Sequence, residues 1–141
     1  MPEKATMQAA KEDLREGKSP STAAGEFVRE EMDHIREGKH GARNAKQAIA
    51  IGLSKARRAG IPLGPPSAET TSAETRHKAE LDREKGKTDP QTGEEGHTKR
   101  GRARLTALKK EPRSAASHEA LSKQTKSSAR KRGLHVHKSA A

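Results

Sequence analysis

Apolar residues recur at three- and four-residue spacing in only a few places along the chain. The clearest is Gly38 to Gly60, GKHGARNAKQAIAIGLSKARRAG. There Ala45, Ala48, Ile49, Gly52, Leu53, Ala56 and Ala59 form one narrow stripe of mostly small side chains, which lets a partner helix come close. The pattern predicts a helix starting at Asn44, whose side chain can accept from the Gln47 N–H while Gln47 reaches back to the Asn44 N–H. Lys55, Arg57 and Arg58 fall in its last turns, where cations complement the helix dipole. Gly60 is placed for the left-handed residue that ends it, and Pro62, Pro65 and Pro66 stop any continuation.

Upstream, Ser19 to Glu37 opens on Ser-Pro, an N-cap followed by a first-turn proline, and ends at Gly38. Ala24, Val28, Met32 and Ile35 share one face with Phe27 beside them, so this helix can lay its stripe on that of the Asn44 helix. The short connection with two glycines suits a helical hairpin over residues 19–60. Residues 1–18 predict a marginal helix with a thin Met7, Ala10, Leu14 stripe and Gly17 as its cap. Residues 61–97 read as a flexible linker that carries one charged helix, Ser72 to Lys85, with Leu81 as its only large aliphatic residue. Residues 98–141 read as a basic tail, helical or disordered, with short helices over Arg102 to Lys110 and Ser114 to Arg132 and Gly133 as a cap. The fold class expected is therefore mainly α: short helices with a small helical hairpin, otherwise extended or disordered with a basic tail.

Composition limits what these helices can build. Leu, Ile, Val and Phe together number 15 in 141 residues, with no Trp or Tyr and one Phe. That lies below the roughly one-fifth under which charged chains tend to disorder, and it excludes a single large core. With no Cys there is neither a disulfide, a cysteine zinc site nor a cysteine nucleophile. No long apolar run marks a leader or a membrane span, so the expected location is the cytoplasm, at the nucleoid if DNA is the partner.

Charge separates the segments. Residues 1–37 hold six basic and nine acidic side chains, while 38–60 hold six basic and none acidic. Residues 98–141 hold 13 Lys or Arg against Glu111 and Glu119 and alone carry the chain's net charge of +11. Such a balance selects polyanions. Two patches follow: Lys46, Lys55, Arg57 and Arg58 on the Asn44 helix, and Arg100, Arg102, Arg104, Lys109, Lys110, Lys126, Arg130, Lys131 and Arg132 on the tail. The acidic helix beside the first patch would partly neutralise it, which counts against DNA binding by that half alone. With Phe27 as the lone aromatic, base stacking is disfavoured and duplex backbone binding favoured.

Chemistry for catalysis is missing. His34, His40, His77, His97 and His118 are scattered, and only His135 and His137 form a pair, an H-x-H whose imidazoles would share a face on a strand. No nucleotide-binding loop is present and no oriented base accompanies the Ser and Thr residues. Neither an enzymatic activity nor a cofactor or metal is expected.

The block KQAIAIGLSKARRAG, Lys46 to Gly60, resembles the shared block of an uncharacterised family of small basic bacterial proteins, and RSAASHEALSKQTKSSAR, Arg113 to Arg130, is similar to the ends of its longer members. With the preceding EFVREEMDHIREGKHGARNA, so that the first stretch runs from Glu26 to Gly60, the resemblance covers 53 of the 141 residues. It implies a bacterial origin and DNA association and carries over no site residues. The reading is nonspecific duplex DNA binding, or binding of structured RNA, through phosphates. Its rivals are a hydrophilin-like stress protectant, suggested by a mean hydropathy of −1.13, and an adaptor that folds on an acidic or ribosomal partner through an Ile49/Leu53 stripe.

Overall fold

Three glycines and two caps set the frame of the N-terminal half. Gly17, Gly38 and Gly60 all adopt positive φ, at 82°, 80° and 96°, each just after a helix as the sequence pattern predicts. The Ser19 hydroxyl accepts from the Thr22 N–H ahead of Pro20, and the Asn44 side chain accepts from the Gln47 N–H at 2.9 Å. The reciprocal half of the second cap differs from expectation: Gln47 Oε1 accepts from the Arg43 N–H at 2.6 Å, one residue before Asn44.

The computed structural model describes residues 4–66, 71–88 and 99–140, with side chains up to Lys131. Among these the fold is mainly α, with no strand: α1 Lys4–Arg15, α2 Pro20–Arg36, α3 Ala45–Arg58, α4 Ala73–Thr88, α5 Lys99–Lys109, a 3-10 turn Ser114–Ala116 and α6 His118–Ala140. No described helix is long and apolar enough to cross a membrane. α6 runs through Gly133, which therefore does not cap it, and His135 and His137 lie in that helix rather than on a strand.

α2 is the central element, packing on α1 along one side and α3 along another. Two small cores result. One joins Ala10, Ala23, Ala24, Phe27, Ala56, Ala59 and Ile61, edged by Met7, Leu14, Leu53 and Leu63. The other joins Met32, Ile35, Ala42, Ala48, Ala115 and Ala116, edged by Val28, Ile49 and Leu121. Most of these side chains are Ala, so burial per residue is small and the helices must approach closely to gain dispersion contact.

Gly52 makes that approach possible. A Cβ built there would stand 2.7 Å from Val28 Cα and 3.0 Å from its Cγ2. Gly52→Ala is expected to push α2 and α3 apart and cost about 1–3 kcal/mol, although Ala is the better helix former by about 1 kcal/mol. Gly25 in α2 faces open space, so Gly25→Ala should stabilise by roughly 0.5–1 kcal/mol. Urea denaturation of the two variants, read by circular dichroism, checks the opposite signs.

The C-terminal segment is not a free tail over its whole length. Gly41 N–H donates to Leu108 O at 2.9 Å and Ala42 N–H to Pro112 O at 3.0 Å, fastening the α2–α3 loop to the last turn of α5 and the connection after it. Arg113 Nε donates to Ile35 O at 3.2 Å, a carbonyl that also accepts from the Gly38 N–H, and its Nη2 donates to Arg36 O at the end of α2. Arg36 answers by donating to Ala116 O at 3.1 Å. Arg113→Ala removes two of these bonds from the cap, with an expected cost of about 1–3 kcal/mol. Hydrogen exchange at the Ala42 amide should speed up with it.

α4 likewise docks rather than floating in a linker. Ala79, Asp82 and Gly86 face inward, and a Cβ at Gly86 would overlap the Arg57 carbonyl oxygen. Leu81 stays half exposed, so small residues and an ion pair hold this helix where an apolar stripe is lacking.

Candidate nucleic-acid interface and a buried charge cluster

The two expected cationic patches part company in the fold. Of the first, Lys46 alone is exposed. Lys55 is 6% exposed and its ammonium donates to Glu31 Oε1. Arg57 is 7% exposed and donates from Nη2 to Gly64 O at 2.9 Å, and burial pushes its pKa down. Arg58 Nε donates to Asp82 Oδ1 at 2.9 Å. The expectation of one solvent-facing patch is thus corrected: α2 and α4 cover α3, and their carboxylates occupy two of its cations. Ile49 and Leu53, expected as a docking stripe for a protein partner, are partly buried against the chain's own two cores.

The second patch stays in solvent. Arg100, Arg102, Arg104, Lys109 and Lys110 are all exposed, as are Lys126, Arg130 and Lys131; the Arg132 side chain lies outside the described residues. α5 buries no residue, contains no acidic residue and packs against no other described helix. Arg100 and Arg104 stand at i, i+4, with Arg102 and Lys109, seven residues apart, on the opposite side of α5; on α6, Lys126 and Arg130 repeat the i, i+4 spacing. Like charges so placed repel by a few tenths of a kcal/mol per pair. A bound polyanion would relieve that repulsion. Among the described residues, Lys123 with Glu119 at 3.6 Å is the ion pair on α6.

Sequence spacing missed a group inside the fold. Glu31 is fully buried, one turn from Phe27 and one turn from Ile35, which are fully buried too. Its Oε1 takes the Lys55 ammonium and lies 3.9 Å from His34 Nδ1; its Oε2 lies 3.1 Å from His40 Nε2. Burial pushes this carboxyl up, but the His40 ring nitrogen and the Lys55 ammonium outweigh it and hold the pKa at about 2. Contact with Glu31 raises the His40 pKa against the opposing effect of burial. His40 Nδ1 stands 2.9 Å from Gly41 O, and His34 Nε2 stands 3.9 Å from Glu30 Oε1. The histidines expected to be scattered thus include two that converge on one carboxylate. The signal was a Glu at an apolar-stripe position of α2, followed at i+3 by His34.

The chain matches no protein-family model, no curated protein and no solved structure.

Proposed function

We propose that the protein binds duplex nucleic acid, DNA first, without reading sequence, through phosphate contacts from α5 and the exposed stretch of α6. The observation that carries this reading is α5 itself. It is a helix with no buried residue, no acidic residue and no packing partner among the described helices, and it carries cations on both sides, Arg100 and Arg104 on one and Arg102 and Lys109 on the other. Helices of that kind gain little from the protein's own interior and much from a counter-charged surface. The α2–α3 pair then serves as the anchor, because the 3-10 turn packs Ala115 and Ala116 into the second core and so ties both basic helices to it.

Neutralising roughly six to ten phosphates makes log K fall steeply with log salt, and affinity should drop about 10³- to 10⁵-fold between 50 and 200 mM. Fluorescence anisotropy with random-sequence duplex DNA across a salt series tests this. Steep salt dependence shared by unrelated sequences is expected. Absence of binding at low salt would overturn the proposal and turn attention to the protectant role.

A further inference from the structure

We propose that Glu31, His34 and His40 form a binding site for one divalent transition-metal ion of zinc type, with Lys55 as the cation that holds the site when the metal is absent. One carboxylate oxygen and one ring nitrogen from each histidine lie within 4.8 Å of one another. Two imidazoles with one carboxylate, plus an open position, are a donor set suited to zinc and its neighbours. Ligands about 2.0–2.1 Å from a tetrahedral ion stand roughly 3.3 Å apart. The two histidines approach the two oxygens of the one carboxylate, His40 Nε2 at 3.1 Å from Oε2 and His34 Nδ1 at 3.9 Å from Oε1, so the donors are gathered on a scale near that edge.

The outer nitrogens strengthen the case. A neutral imidazole has one N–H and one lone pair. The Gly41 carbonyl can only accept, so the His40 Nδ1 that contacts it carries a hydrogen, and in the neutral ring Nε2 has its lone pair toward Glu31. His34 stands with Nε2 3.9 Å from Glu30 Oε1 and Nδ1 3.9 Å from Glu31 Oε1. Metal-bound histidines show the arrangement found at His40, with an outer acceptor fixing the tautomer and the inner nitrogen facing the ion. Glu31 Oε2 is buried, with His40 Nε2 3.1 Å away. Burial of these two atoms against each other calls for a cation between them, either a proton on His40 or a metal ion.

Lys55 supplies positive charge on the other oxygen. Its side chain is 7% exposed at the end of a flexible stem, so the ammonium can move to water when a dication takes the carboxylate. Lys55 is then a competitor of the metal, which a purely structural ion pair is not.

Calorimetric titration of the full chain with Zn²⁺ and absorption spectra with Co²⁺ test the proposal. Both are run in a His135→Gln, His137→Gln background so that the H-x-H pair cannot contribute. One ion per chain and the visible bands of a four-coordinate Co²⁺ centre are expected. His34→Gln or His40→Gln should weaken binding at least about hundredfold. Lys55→Met should bind Zn²⁺ about tenfold or more tighter, and Zn²⁺ should raise its melting temperature more than that of the parent. The proposal is overturned if a helical parent chain binds neither ion, since a proton on His40 would then be the missing cation. Binding that both histidine substitutions leave unchanged would overturn it equally.

Discussion

Lys55→Met is expected to destabilise the metal-free fold by about 3–5 kcal/mol, the loss that follows when one partner of a buried ion pair is removed. Glu31 has no exposure, and Phe27 and Ile35, one turn to either side on α2, are equally buried. Its carboxyl sits near a pKa of about 2, so at neutral pH it is an anion, and His40 alone would be left to balance it. Small domains have roughly 5–15 kcal/mol in total, so such a loss takes a large share. Adding Glu31→Gln to Lys55→Met removes the orphaned charge and should recover most of the loss. Lys46→Met, on the exposed side of α3, should stay within about 0.5 kcal/mol of the parent. Urea unfolding in chelator-containing buffer separates these outcomes. Equal stability of the Lys55 and Lys46 variants would mean that the Glu31 contact contributes nothing to the fold.

The second large effect concerns the basic helices. Gln substitution of Arg102, Arg104, Lys109, Lys126, Arg130 and Lys131 leaves every buried side chain in place, because all six are exposed. Each cation withdrawn from a phosphate should flatten the salt slope by about 0.9, so six should lower it by about five and reduce affinity by two to four orders of magnitude at low salt. Simple removal of the segment would be a poorer test. It would take Ala115 and Ala116 from the second core and Arg113 from the end of α2, confusing the removal of charge with unfolding.

What local chemistry dictates was legible in the sequence. Ser19-Pro20, Asn44 with Gln47, and Gly17, Gly38 and Gly60 placed the helix boundaries because caps and left-handed glycines act within a few residues. The face of α3 was only partly legible. Ile51 and Lys55 are buried while Ile49 and Leu53 are half covered, because α2, α4 and the 3-10 turn all pack around this helix and widen its buried sector beyond one apolar stripe. Long-range docking left no periodic trace. Arg113 reaches α2 across 78 residues, and α4 is held through Asp82 and the missing side chain of Gly86. The charge reading failed on α3 for the same reason: counting Lys and Arg does not reveal that Glu31 and Asp82 lie against them. Glu31 itself could have been read from its place in the row Phe27, Glu31, Ile35, where a polar residue interrupts an apolar repeat and needs a buried partner.

The most direct measurement is duplex-DNA anisotropy across a salt series with three proteins: the parent, the six-Gln variant and Lys46→Gln. Phosphate binding by α5 and α6 predicts steep, sequence-indifferent binding by the parent, a slope lowered by about five with the six-Gln variant, and a change of about one or less with Lys46→Gln. Equal slopes for the parent and the six-Gln variant would contradict it.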